Sequence, residues 1–325
     1  MQKIPFLHAR AQAMRDIRAF FDARGYLEVD TPALQRSPCM EPHIQAFRTE
    51  LVMPDGGRET FYLHTSPEFA MKKLLVAGLP KIYQLAPVFR TAEGSAWHSP
   101  AFTMLEWYQA GMDYKDMMRE TQDLLRHVVK SSLRAGDRTC DVHGAWEEIT
   151  FTDALKTYAG VDISMHPGNL AHIRAEAKRI GVHVSEHDDW DNAVLKIFMD
   201  RVEGKLGSPA PSIVYDYPVS MAALSRPKPS DPRFAERFEV YACGIELANA
   251  FGELTDAAVQ RERFVHDVAL RKKIYGDDYP VDEDFLAALE HGLPPCSGNA
   301  LGVDRLVMLM TGAGDIGLVQ AVPVV

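Results

Sequence analysis

Phe102, Met104, Glu106 and Tyr108 occupy every second position of an apolar segment. Successive strand side chains point to opposite faces, so a strand here puts these four on one face and Thr103, Leu105 and Trp107 on the other. A carboxylate in such a strand is costly to bury unless a cation meets it. Two readings follow: an amphipathic strand with one solvated glutamate, or a pocket floor that stacks a flat base and binds an ammonium group. Arg90 closes the preceding apolar run, Ile82 to Phe89, and a polar loop containing His98 separates the two segments. An arginine fork can hold carboxylate and phosphate oxygens together, the need of any reaction that joins those two anions. Glu239 and Glu246 supply hard oxygen ligands of the kind magnesium prefers. On one flat strand they face opposite ways, and a bulge near Gly244 is expected to bring both to one side. His183 and His187 lie in a polar Ser-Glu-His-Asp-Asp setting that favours a solvated loop or helix start over a metal site.

The elements that position these groups follow from periodicity. Met14, Ile17 and Phe21 predict a helix over 9–24 with Gly25 as its stop. Strands are expected near 26–30, 45–53, 60–64, 81–90 and 101–109. Ser66-Pro67 predicts a helix start, with Ser as cap and Pro in the first turn, and Gly78 ends that helix. Further helices are expected at 114–134 and, as an insertion of small helices over about 151–206, at 152–159, 169–180 and 189–205. Strands resume at 212–217 and 236–247, a charged helix follows at 257–274, and strand 296–302 leads into a last helix over 303–312. The strands outnumber what βαβ alternation gives, which predicts an α+β fold with an antiparallel sheet flanked by helices. The Pro-rich turns at 208–211 and 226–232 read as loops inside a single domain spanning 1–325.

Lys and Arg total 35 against 45 Asp and Glu, a net charge of −10. That balance argues against a surface built to grip phosphate backbones. No run of roughly 18 apolar residues predicts a membrane helix, and the short apolar stretch at the N-terminus does not suit a signal peptide. Cys39, Cys140, Cys243 and Cys296 are far apart, which fits reduced thiols in a cytoplasm.

Three ordered segments carry a resemblance. Arg90-Thr91-Ala92-Glu93 with His98-Ser-Pro-Ala-Phe102-Thr resembles motif 2 of the class II aminoacyl-tRNA synthetases of the lysine type. Gly298-Asn-Ala300-Leu-Gly302-Val-Asp304-Arg305-Leu306 resembles motif 3, and Met14 to Leu34, running into Tyr26-Leu-Glu-Val-Asp-Thr-Pro32, resembles motif 1. The resemblance implies ATP and Mg2+ as partners in forming an aminoacyl adenylate. Arg90 is then expected to bridge substrate carboxylate and α-phosphate, Arg305 to bind the γ-phosphate with His98 near the same end, and Phe102 to stack on adenine. Thr91, Ala92, Glu93, Leu247, Asn249 and Gly302 complete the implied ATP site, and Glu239 and Glu246 the implied metal site. Glu68 is implied at the substrate's backbone amine, Ala300 near the substrate backbone, Glu106, Tyr108 and Glu253 around the distal ammonium of a lysine-like substrate, and Ser66 and Pro67 in the same substrate site. The chain departs from the family at Ala92, where motif 2 carries glutamate with Glu93 now beside it, and at Ala101.

Motif 1 begins within about the first dozen residues, which leaves no room ahead of it for an anticodon-binding barrel. The chain therefore resembles the free-standing lysyl-synthetase-like family that acylates a lysine of elongation factor P. Ala300 stands where lysyl-tRNA synthetases carry glycine; one carbon there, worth ~1–3 kcal/mol, favours an amine moved from the α to the β carbon. The implied reaction is ATP-dependent activation of (R)-β-lysine or lysine and transfer to elongation factor P by a homodimer, with no tRNA and no membrane partner. Two alternatives stand beside it: a catalytically weakened regulatory or binding subunit, motivated by Ala92 and Ala101, and a tRNA-charging enzyme with a separate anticodon module.

Overall fold

The computed structural model describes residues 3–164, 168–222 and 224–324. Helix α1 runs Ile4–Ala23. It starts ahead of the expected position because Pro5 sits in its first turn, where a missing N–H costs nothing. It is followed by β1 (Leu27–Glu28), β2 (Leu34–Gln35), β3 (Arg48–Val52), β4 (Arg58–Leu63), α2 (Glu68–Val76), β5 (Lys81–Phe89), β6 (Ala101–Ala110) and α3 (Tyr114–Val128). Next come β7 (Leu133–Ala135), β8 (Arg138–Cys140), β9 (Glu147–Thr150), α4 (Phe151–Ala154), α5 (Leu170–Ile180), α6 (Trp190–Arg201), β10 (Ser212–Pro218), β11 (Pro227–Lys228), β12 (Asp231–Ala242) and β13 (Ile245–Gly252). The chain ends with α7 (Ala257–Tyr275), α8 (Glu283–Gly292), β14 (Cys296–Gly302) and α9 (Val303–Thr311). It divides into two compact units, Met1–Asp113 with Glu253–Val325, and Tyr114–Gly252.

In the first unit β6 is the central strand, antiparallel to β5 on one side and to β14 on the other, while the two-residue β1 pairs parallel with β5. The expected alternation holds on β6. Leu105 and Trp107 are wholly buried on one face, against α1: Phe21 stacks on Tyr83 at 4.7 Å between ring centroids and tilts against Trp107 at 5.5 Å. The other face, carrying Phe102, Met104, Glu106 and Tyr108, is left for chemistry, with α2 packed near it. Strands β2, β4 and β3 form a separate antiparallel sheet. Phe69 of α2 stacks on Phe285 of α8 at 4.5 Å, which locks α2 from behind.

In the second unit β12 pairs antiparallel with β10 and β13, and β9 runs parallel beside β10. The expected single strand over 236–247 is instead a hairpin. Cys243 and Gly244 both take positive φ, 56° and 78°, the geometry of a tight two-residue turn. The expected helix over 114–134 stops at Val128, and the residues after it form the β7–β8 hairpin. The run of small helices appears where periodicity put it: α4 continuing into a π-type turn at 155–159, then α5, α6 and a 3-10 turn at 203–205. Residues 165–167 of that stretch lie outside the described residues. Antiparallel pairing dominates both units, and the fold is α+β. Among the described residues no helix is long and apolar enough to cross a membrane.

The last helix, α9, is anchored to α1 by one carboxylate. Asp304, in the first turn of α9, is 1% exposed; it meets Arg10 Nη1 of α1 at 2.9 Å, accepts the Thr103 N–H at 2.8 Å and accepts Gln320 Nε2 at 3.1 Å. Removing one partner of a buried ion pair leaves an uncompensated charge. Asp304→Ala is expected to cost about 3 kcal/mol of stability, read by denaturant unfolding; a loss within about 1 kcal/mol would show that Arg10 and Thr103 find other partners.

Candidate active site

Cross-strand partners share a face, so the registers of β5, β6 and β14 define the floor. Gln84 pairs with Glu106, Ala86 with Met104 and Val88 with Phe102, while Gly298 pairs with Tyr108, Ala300 with Glu106 and Gly302 with Met104. Phe102 and Ala300 pack against the apolar patch of Ala86, Val88 and Met104. The floor thus changes along its length, from apolar and aromatic at Phe102 to acidic and phenolic at Glu106 and Tyr108.

The acidic end is densely bonded. Ser66 Oγ donates to Glu106 Oε1 at 2.6 Å and accepts the Glu68 N–H at 3.0 Å, which ties the start of α2 to β6. The cap position falls on Pro67, one residue after the expected serine, without a side-chain cap bond. Tyr108 OH donates to Glu106 Oε2 at 2.9 Å. Burial, with Glu68 nearby, pushes the Glu106 carboxyl up to about 8, against the pull of those two hydroxyls and of Lys72. Burial and the surrounding carboxylates hold the Tyr108 phenol protonated far above its ordinary value, so it remains a donor. Glu253 converges on the same place. A Cβ at Gly298 would lie 2.1 Å from the Tyr108 ring and 2.5 Å from Glu253 Oε1, so only glycine fits beneath these two side chains. Glu68, Glu106 and Glu253 are all buried, at 7%, 1% and 1% exposure. Lys72, which sequence reasoning passed over, lies among them: its Nζ is 2.5 Å from Glu68 Oε1 and 2.6 Å from Glu253 Oε2. A Glu–Lys spacing of four on a helix was its one signal in the sequence.

At the apolar end two arginines face inward from different motifs. Arg90 follows β5, and its guanidinium lies 5.2 Å from the Phe102 ring centroid while Nε donates to the Thr65 carbonyl at 3.3 Å. Its Nη1 is 3.9 Å from Glu93, a carboxyl raised by burial and held down by Arg90 and Arg305. Arg305 donates through Nη2 to His98 Nε2. Burial and the two arginines lower the His98 pKa, so the ring is neutral and its proton sits on Nδ1, 2.9 Å from Ser95 Oγ. Ala92 takes φ 58°, a left-handed conformation that costs an L-residue ~1–2 kcal/mol and turns the chain between Arg90 and Glu93. Thr91 is fixed by its backbone, whose N–H donates to the Gln45 carbonyl at 2.7 Å. Gly302 caps α9 and leaves ordinary clearance to Arg305, so the helix N-terminus opens beside that guanidinium. Two guanidinium groups beside an aromatic ring can hold a polyphosphate and a stacked base.

Glu239 and Glu246 belong to the second unit. They do not lie on one bulged strand; Glu239 is on β12 and Glu246 on β13, where Tyr241 pairs with Glu246 and Glu239 with Asn249. The register does shift, but between Val240 and Tyr241, opposite Glu246 to Ala248, rather than at Gly244. Glu239 is buried and saturated: Tyr217 OH at 2.6 Å and Tyr241 OH donate to Oε2, and Arg237 Nη2 meets Oε1 at 2.5 Å. Arg237 also reaches Asn249 Oδ1 at 3.3 Å, and Leu247 is buried. Carboxylates are the right donors for magnesium. Yet a guanidinium already holds the position a divalent cation needs on Glu239, so this residue as arranged does not fit a metal ligand. Among the described residues no group of three or more His, Cys, Asp or Glu could hold a metal ion.

A family model for the class II tRNA synthetases (D, K and N) matches residues 2–325. The chain belongs to this family. It is 43% identical over 321 residues to the elongation factor P–(R)-β-lysine ligase of Vibrio vulnificus, covering 98% of this chain and 95% of the relative. It is 40% identical over 320 residues to the protein of that name in Vibrio cholerae, covering 98% and 94%, and 40% identical over 320 residues to that of Avibacterium paragallinarum, covering 98% and 95%. Within a class II synthetase unit, the floor of β5, β6 and β14 therefore carries motif 2 and motif 3 side by side, which is why Arg90 and Arg305, distant in sequence, both bear on Glu93.

A buried Glu106 that holds a proton near neutral pH must release it before a cation can pair with it. Affinity for lysine, measured by calorimetry, is expected to strengthen as pH rises through about 8, until the ligand's own ammonium groups begin to lose their protons. An affinity that is flat over that range would show Glu106 to be ionised throughout.

Proposed function

We propose that this protein uses ATP to activate (R)-β-lysine, or lysine, as an aminoacyl adenylate and passes the acyl group to a lysine side chain of elongation factor P. The observation that carries the reading is one sheet face bearing a cluster of buried carboxylates at one end and two guanidinium groups at the other. The acidic end suits a substrate with two ammonium groups, and the basic end suits a carboxylate beside a triphosphate. The names of the relatives support the same substrate and acceptor.

In the first step a carboxylate oxygen attacks the α-phosphorus and pyrophosphate leaves. The chain's part is positioning and charge neutralisation. Arg90 holds carboxylate and α-phosphate oxygens together, which requires its guanidinium to swing off the Phe102 ring as adenine takes that place. Arg305 takes the γ-phosphate; His98, neutral and hydrogen-bonded to it, fixes its orientation. Glu106 with Tyr108 and Glu253 receives the distal ammonium, and Glu68 the amine nearer the carboxylate. In the second step the neutral ε-amine of an acceptor lysine attacks the acyl carbon, AMP leaves, and an amide forms. Ala300 pairs with Glu106 and packs on the apolar patch of Ala86, Val88 and Met104; in this reading its methyl reshapes the pocket near the substrate backbone and favours the β position. Glu93, between the two arginines, stands in for the glutamate missing at Ala92. The working form in this reading is a cytoplasmic homodimer joined through motif 1.

Exchange of labelled pyrophosphate into ATP, run with β-lysine and with lysine, tests the first step. Exchange is expected with both and faster with β-lysine, followed by amide transfer to purified elongation factor P and none to tRNA. Absence of exchange with either amino acid would sink the ligase reading in favour of a binding subunit; charging of tRNA would favour the synthetase alternative.

A further inference from the structure

One ammonium group already stands inside the acidic pocket. The Lys72 side chain is wholly enclosed, at 0% exposure, between Glu68 of its own helix and Glu253. The Phe285 ring lies 5.9 Å away. A lone lysine buried this deeply would lose its proton. Here the two carboxylates outweigh the burial and hold it charged above its ordinary value. Glu106 and Tyr108 of β6 face the same cluster, and the Cys39 thiol lies beside Glu68.

Once Glu106 has released its proton to pair with a cation, Glu68, Glu106 and Glu253 less Lys72 leave two negative charges. Lysine and β-lysine each bring two ammonium groups, and their carboxylate goes to Arg90. The occupied pocket is neutral only with Lys72 in it.

We propose that Lys72 is a positioning residue that holds the carboxylates of Glu68 and Glu253 in place, so that the pocket, once Glu106 releases its proton, presents two net negative charges to an acyl substrate bearing two ammonium groups. This inference rests on the function proposed above. Lys72 touches no reacting atom; it acts through the carboxylates.

The test is pyrophosphate exchange by the full chain and by Lys72→Met, with KM for β-lysine and for ATP measured from neutral to alkaline pH. Without the ammonium, a carboxylate takes up a proton at neutral pH. KM for the amino acid is expected to rise about tenfold or more while KM for ATP stays within about twofold, and the gap is expected to narrow as pH rises. A folded Lys72→Met with an unchanged amino-acid KM and pH profile would overturn the proposal, as would parallel changes in both KM values, the mark of a purely structural lysine. Should Lys72→Met fail to fold, Lys72→Met/Glu253→Gln removes the stranded charge. That variant is expected to fold, and adding Glu68→Gln to it removes both partners of the ammonium. This triple variant is expected to match the amino-acid KM of Glu68→Gln/Glu253→Gln within about threefold, and a further tenfold rise would show that Lys72 does not act through these carboxylates and overturn the proposal. Wild-type protein inactive with both amino acids removes the ligase reading itself, whereas wild-type exchange with an indifferent Lys72→Met removes only this inference.

Discussion

Burying several carboxylates side by side is among the most unfavourable arrangements a small pocket can adopt. Glu68, Glu106 and Glu253 are nonetheless packed into one corner of the first unit, and the surrounding structure reads as the set of devices that tolerate them. Lys72 meets two of the three with its ammonium. Ser66 and Tyr108 meet the third with hydroxyls, which leaves Glu106 the least compensated and the readiest to hold a proton. A site in this state is poised for an incoming cation, because the substrate supplies what the fold withholds.

The scaffold that holds the corner is built from two faces of one sheet. Trp107, Leu105 and Tyr83 are sealed against α1, which fixes β5 and β6 rigidly from behind. Close packing there lets the opposite face carry buried carboxylates. Gly298 is the clearest sign of how close the packing runs: the Tyr108 ring and Glu253 occupy the volume a methyl would need. At the other end of the floor, Asp304 links α1, β6 and α9, so the helix that carries Arg305 is placed by the same bonds that place the start of α1. Binding groups on rigid elements lose little in ordering when a ligand arrives.

Much of this was legible in the sequence, and the losses have physical causes. The alternation over 102–108 fixed which side chains share a face, and Ser66-Pro67 marked the helix that brings Glu68 to it. The hairpin at Cys243-Gly244 was missed because 236–247 is continuously rich in strand formers and its turn uses a cysteine at positive φ, a residue with no turn signature. Glu239 looked open from the sequence, whereas Tyr217, Tyr241 and Arg237 come to it from positions that no spacing rule links. Lys72 was missed for the opposite reason: lysine is among the least buried residues, so the default reading is a solvated face. Only the convergence of two carboxylates from separate segments makes its burial tolerable, and convergence is a tertiary fact.

The central claim is that the acid cluster on the β5–β6–β14 floor receives the ammonium groups of the acyl substrate while Arg90 takes its carboxylate. A crystal structure with β-lysine and a non-hydrolysable ATP analogue bound measures this directly. The account predicts the distal ammonium within hydrogen-bonding distance of Glu106 and Tyr108, with adenine on Phe102. An amino acid bound away from Glu106, or a nucleotide that leaves Arg90 and Arg305 untouched, would contradict it.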